Sequence, residues 1–253
     1  MIVRDTILFK YVLSLGDDAL ISAQRLAQWA YKAPFLEEDI ALSNISLDLF
    51  GRANFLLEYA AELKGENTTA DDLAFKRDER KFTNLLMCEH PNGNFADTIV
   101  CRFFLDAYDK LFFYTLSKSR DKQLASIAAK AIKETTYHYR HSSNWVIRLG
   151  DGTEGSHRKV QEAINNLWTF TGEFFKMTQT DIVMMKKKVG VDRKALKIEW
   201  DKTINDVCKE ATLRIPENSF MTTGGREGIH TEHLGHLLSD MQYLQRAYPD
   251  ATW

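Results

Sequence analysis

The sequence predicts an all-α fold: a bundle of four long helices elaborated by shorter helices toward its C-terminal end. Three observations carry that prediction. Only 4 prolines and 13 glycines punctuate 253 residues, so the elements between them are long. Apolar residues recur at the spacing of an amphipathic helix through every long segment. No run of alternating apolar and polar residues marks a strand.

The first helix is expected over residues 4–31, with a bend at Gly16. Pro34 is read as a first-turn proline, where its fixed φ and missing N–H cost nothing. It opens a second long helix over residues 35–63, which stops before Gly65. Glu37, Glu38 and Asp39 in its first turn suit the positive end of the helix dipole. A polar loop, Gly65-Glu66-Asn67-Thr68-Thr69, leads into a shorter helix over residues 71–89, ended by the turn cluster Pro91-Asn92-Gly93-Asn94. Two more long helices follow over residues 95–118 and 122–149, the second closed by Gly150-Asp151-Gly152. Helices over residues 157–177 and 193–212 come next. A loop with Pro216 and Gly224-Gly225 precedes a last helix over residues 229–247. The whole chain, residues 1–253, is read as a single domain, since no shift in composition marks a boundary. One helix hairpin before Gly65 and another after Asn92 suggest a loose duplication.

Composition excludes several function classes. Hydrophobic residues make up 44% and charged residues 27%, the balance of a soluble globular protein. A net charge of -2 gives no general attraction to nucleic acid. Lys186, Lys187 and Lys188 read as a solvated helix end. The longest uncharged stretch, Ala163 to Gly172, is half of the roughly 20 residues a membrane-spanning helix needs. Met1-Ile2-Val3-Arg4-Asp5 lacks the apolar core of a signal peptide. Cys88, Cys101 and Cys208 are widely spaced with no CxxC pair, which points to reduced thiols in the cytoplasm.

Long helical bundles can hold two metal ions with a carboxylate from each of two helices and Glu-x-x-His from each of the other two. The second long helix offers Asp48-Leu49-Phe50-Gly51, and the fourth offers Glu134-Thr135-Thr136-Tyr137. Acids are present, but Gly51 and Tyr137 stand in the imidazole positions. Asp18 and Asp106 could supply the single carboxylates of the first and third helices. The six positions Asp18, Asp48, Gly51, Asp106, Glu134 and Tyr137 read as a degenerate metal site. Arg25, Arg52 and Arg102 lie on the right helices to neutralise inward acids, because a buried unpaired carboxylate is costly. The bland alternative makes these acids polar stripes facing solvent.

Two rival clusters exist. Glu134, His138 and His141 share a helical face, but the second long helix contains no histidine to complete a site. A metal-dependent oxidase built on Asp18, Asp48, Asp106, Glu134 and either histidine is therefore the alternative function. His230, His233 and His236 lie roughly on one side of the last helix, with a structural or interface role favoured over zinc. Gly224-Gly225-Arg226-Glu227-Gly228 lacks the strand and the Lys-Ser/Thr of a phosphate loop. No GxSxG nucleophile motif is present. Some of the many aromatic side chains are expected to face a partner subunit.

The sequence also resembles a known family. The resemblance is carried by Leu15-Gly16-Asp17 with Ser22-Ala23-Gln24-Arg25-Leu26, Ala33-Pro34, and Asp39-Ile40-Ala41-Leu42 leading to Leu47-Asp48-Leu49. It continues through Phe75-Lys76-Arg77-Asp78-Glu79-Arg80, Pro91 to Ile99 and Lys130-Ala131-Ile132-Lys133-Glu134. Asn166-Leu167-Trp168, Thr223-Gly224-Gly225, His230 to Gly235 and Met241 to Arg246 complete it. Over nearly its whole length the chain resembles the PaaC subunits of the ring-1,2-phenylacetyl-CoA epoxidase, or phenylacetate-CoA oxygenase, family. That resemblance implies a ferritin-like fold and a cytoplasmic role in aerobic phenylacetate catabolism. It implies a structural subunit with no catalytic residue and no cofactor of its own. The di-iron centre is expected in a PaaA-like catalytic partner, with a small PaaB-like bridging subunit and a flavin/iron–sulfur reductase completing the complex.

Overall fold

The computed structural model describes residues 5–217, 219–249 and 251; Arg4, where the first helix was expected to begin, lies outside them. Among the described residues the chain is entirely helical, with eleven α-helices, three short 3-10 segments and no strand. It divides into two compact units, Met1–His90 with Gly224–Trp253, and Pro91–Thr223.

In the first unit, α1 (Thr6–Ala27) and α2 (Leu36–Lys64) form a long hairpin. Asp5 caps α1, its carboxylate accepting the N–H groups of Ile7 and Leu8 at 3.2 and 3.1 Å. The helix is continuous through Gly16. The glycine permits close approach: a Cβ there would stand 2.8 Å from Leu57 Cδ2 of α2. Further along the hairpin, Ser46 Oγ donates to the Ala23 carbonyl at 2.9 Å. Pro34 precedes the helix rather than sitting in its first turn, because Phe35 is fully extended and helical dihedrals begin at Leu36.

The expected helix over residues 71–89 is broken into α3 (Ala70–Phe75), a 3-10 turn (Glu79–Lys81) and α4 (Leu86–Glu89). The reason lies in α1. Asp17 accepts the Thr83 N–H at 2.9 Å, and Asp18 accepts the Leu85 N–H at 2.7 Å. Those donors would otherwise bond helical carbonyls. The last expected helix is likewise divided, into α10 (Glu232–Met241) and α11 (Tyr243–Ala247). Between them the buried Gln242 side chain donates to the carbonyls of Ala74 and Arg77 at 3.2 and 3.0 Å.

In the second unit, α5 (Phe95–Leu116) opens on a capping box of Asn94 and Asp97, and α6 (Lys122–Gly150) is capped by Asp121. α7 (Glu154–Leu167) starts earlier than expected, capped by Thr153, then tightens into a 3-10 segment, Trp168–Phe175. α8 (Gln179–Lys186) has no counterpart among the helices expected from sequence, although Thr178 and Asp181 form a capping box that marks its start. Lys186, Lys187 and Lys188 are exposed at its end, as a solvated helix terminus requires. α9 (Arg193–Glu210) packs beneath an aromatic core in which Trp200 donates to the Phe104 carbonyl at 3.1 Å. The buried Arg193 pairs with Asp181 at 3.0 Å and donates to the Tyr108 hydroxyl at 2.8 Å.

Candidate functional site

The two neighbouring acids of α1 are both committed. Asp17 is fully buried and receives the Arg77 guanidinium, together with the Thr83 N–H and hydroxyl. Asp18 pairs with Arg226 in addition to the Leu85 N–H. Arg226 also donates to the carbonyls of Ser14 and Thr83, at 3.0 and 2.7 Å. Its glycine-rich surroundings explain how it gets there. A Cβ on Gly225 would lie 2.1 Å from the Asn84 carbonyl oxygen, so only glycine lets the loop press against that segment and deliver the arginine. Arg25, expected to neutralise inward acids, donates to the carbonyls of Glu89 and His233, each at 2.9 Å.

On α2, Asp48 is half-buried and is not without a partner. The helix buries Leu42, Ile45, Leu49, Arg52, Ala53 and Leu56. Gly51 lies on the other side, sharing a face with Leu47 and Phe55, and a Cβ there meets nothing within 4 Å. α6 of the second unit repeats this arrangement. Glu134 is half-buried and likewise not without a partner, while Thr135, His138 and Ser142 are buried. Tyr137 is 41% exposed, with its ring centroid 6.1 Å from that of His138 and 6.3 Å from that of His141. One helical turn beyond each acid therefore stands a buried side chain, Arg52 on α2 and His138 on α6.

Asp106 of α5 is buried and paired with Arg102 of the preceding turn, the neutralising role expected of that arginine. Burial works against the Arg102 charge. The carboxylates of Asp106 and Asp109 more than offset it, and the guanidinium titrates above its ordinary value. Asp18 and Asp106, the single carboxylates of the degenerate set, are thus each bound by an arginine. Among the described residues, no cluster of three or more His, Cys, Asp or Glu side chains is arranged to hold a metal ion. Two of the four candidate acids are charge-paired, and neither Gly51 nor Tyr137 stands on the buried face of its helix.

The three histidines of the C-terminal segment separate. His230 lies before α10 and is enclosed between Glu89 and the Phe82 carbonyl. His233 packs near His90, with ring centroids 6.1 Å apart, and His236 is exposed. The cysteines are free thiols. Burial pushes the Cys208 thiol up to about 12, so it is a poor nucleophile at neutral pH. No described helix is long and apolar enough to cross a membrane.

A family model for phenylacetic acid catabolic proteins, PaaA_PaaC, matches residues 2–253. The chain belongs to this family. The PaaA_PaaC fold is ferritin-like, in keeping with the all-helical structure. Within the family, the chain is 51% identical over 243 residues to the PaaC subunit of the 1,2-phenylacetyl-CoA epoxidase of Escherichia coli (strain K12). That match covers 96% of this chain and 98% of the relative.

Proposed function

We propose that this chain is the PaaC subunit of a multicomponent phenylacetyl-CoA epoxidase, acting as a structural partner that contributes no catalytic residue. The observation that carries the proposal is 51% identity over nearly the full length of such a subunit. On this reading, a PaaA-like subunit holds the di-iron centre and binds the coenzyme A thioester. A small PaaB-like subunit bridges the assembly, and a reductase supplies electrons from NADPH. The complex works in the cytoplasm, and this chain acts in it as one ferritin-like domain with no metal or other cofactor of its own.

The geometry supports the structural role in two ways. The first is the commitment of Asp18 to Arg226 and of Asp106 to Arg102, which removes both acids from metal ligation. The second is the outward face of α2. Leu36, Ile40 and Leu47 are 70%, 53% and 65% exposed there, in line with Asn44, Gly51 and Phe55. From Ile40 to Phe55 that stripe carries no charge over about four turns, whereas the corresponding face of α6 carries Lys130, Lys133, Tyr137 and Arg140. An uncharged helical stripe is suited to burial against another helix. Its occupant is assigned as the catalytic subunit.

Coexpression with the catalytic subunit tests this directly. The two chains should copurify, and Leu47→Asp should lower the yield of complex without unfolding the isolated chain. Complex formation unaffected by Leu47→Asp, and by charge placed at Ile40, would remove α2 from the interface. Full epoxidation in the absence of this chain would remove the proposal itself.

A further inference from the structure

Glu89 and His230 have fully buried side chains, with His230 Nδ1 2.6 Å from Glu89 Oε1. The other ring nitrogen, Nε2, is 3.0 Å from the Phe82 carbonyl oxygen. Both nitrogens therefore face acceptors. A neutral imidazole carries one N–H and satisfies one of them, whereas an imidazolium satisfies both.

The proton could in principle reside on Glu89, so the donors to that carboxylate decide the question. Oε1 accepts from Asn84 Nδ2 at 3.0 Å as well as from the histidine. Oε2 accepts from the Thr231 N–H at 2.9 Å and from the Thr231 hydroxyl at 2.7 Å. Three donors besides the ring thus engage this carboxylate, and hydrogen bonds of that number favour its ionised form, which places the shared proton on the ring.

We infer that His230 is a buried imidazolium acting as a pH-sensitive latch, fastening the C-terminal segment (residues 224–247) to α4 and the extended chain ahead of it. The inference does not depend on the assembly proposed above. The neighbouring charges are consistent with it. Glu79 brings its carboxylate against Gly235 of α10, and Glu232 lies in the first turn of that helix. Arg25 of α1 donates to the backbone carbonyls of Glu89 and His233 rather than to the carboxylate of Glu89. His90, next to Glu89 in sequence, packs near His233. Burial disfavours the imidazolium, but the hydrogen bond and charge of Glu89, helped by the Phe82 carbonyl, overcome it and raise the histidine above its ordinary value.

The sign follows from linkage. A group whose folded pKa is raised gives stability that is fully present below the unfolded value, about 6.5, and is lost as pH rises through the folded one. Within that window, opening of the segment gains up to about tenfold per pH unit, because one proton leaves with each opening event.

Two measurements on the full chain test the latch. Ring nitrogen chemical shifts of His230 should show both nitrogens protonated at pH 7, with a deprotonation midpoint above 6.5. Hydrogen exchange of α10, corrected for intrinsic rates, should speed up as pH rises through the same window, and His230→Gln should abolish that dependence. A singly protonated ring at pH 7 would overturn the proposal. So would identical pH dependence in wild type and His230→Gln. Should the variant fail to fold, the wild-type shifts still decide whether the ring is charged, and wild-type exchange showing no rise above pH 6.5 would refute the latch.

Discussion

Removing the guanidinium of Arg226 should destabilise the first unit through one identifiable charge. The Arg226 side chain is 7% exposed and that of its partner Asp18 is 20% exposed. Arg226→Met keeps most of the aliphatic stem but takes the guanidinium from the carboxylate, which retains the Leu85 N–H. It also strips the Ser14 and Thr83 carbonyls of their donors. Breaking a buried pair from one side costs about 3–5 kcal/mol. The retained hydrogen bond and partial exposure of Asp18 place this case near the lower end, at about 3 kcal/mol. The assay is denaturant unfolding of wild type, Arg226→Met, Asp18→Asn and the double variant. If the charges act as a pair, the double variant loses less than the sum of the singles, with a coupling of about 1.5 kcal/mol or more. A cost for Arg226→Met below about 0.5 kcal/mol would refute the reasoning. So would strict additivity across the cycle.

Other consequences are as direct. Gly16→Val should cost about 1–3 kcal/mol, because the side chain meets Leu57, whereas Gly51→Ala should gain about 0.5–1 kcal/mol in open space. Thermal melts giving the two changes the same sign would contradict the faces assigned to them. Asp72, hydrogen-bonded to Lys76 and to the Thr69 backbone in the capping box of α3, titrates at about 2. Its depressed pKa means that the cap's contribution is present above the ordinary carboxylate value and is lost only as pH falls through about 2. A carboxyl carbon titration of Asp72 with an ordinary midpoint near 3.9 would exclude this. Iodoacetamide at pH 8 should leave Cys208 unmodified in the folded protein, and its stoichiometric labelling would show that the thiol is neither buried nor protonated.

Much of the fold was legible because long helices write a regular apolar period. The boundaries of α2, α5 and α6 fall within a few residues of expectation, for punctuation such as Gly65, Asn94 and Gly150 states them locally. The broken stretch between residues 70 and 89 was not legible. Its backbone donors go to Asp17 and Asp18, more than sixty residues earlier in sequence, and no local pattern records that. The role of Arg226 was hidden for the same reason, since its meaning depends on the close approach that Gly225 permits. α8 does carry a local signal, Thr178 and Asp181 at capping-box spacing, that suffices to find its start. The acids of the candidate site were legible by position, and Arg102 does neutralise an inward acid, as expected, although its partner Asp106 was not foreseen. The faces of those acids were not legible. The i+3 template pointed to Gly51 and Tyr137, while burial falls at i+4, on Arg52 and His138.

The central claim is that this chain is needed for epoxidation yet supplies no reacting group, and one measurement tests it most directly. The epoxidase is reconstituted from its subunits with wild-type chain, with Glu134→Ala or Asp48→Ala, or with the chain omitted. NADPH-dependent consumption of phenylacetyl-CoA is then followed at matched complex concentration. The account predicts loss of turnover without the chain, and turnover within about twofold of wild type for either variant once assembled. That margin is far from the hundredfold or greater loss typical when a group acting in the reaction is removed. A folded, fully assembled Glu134→Ala complex with no turnover would contradict it.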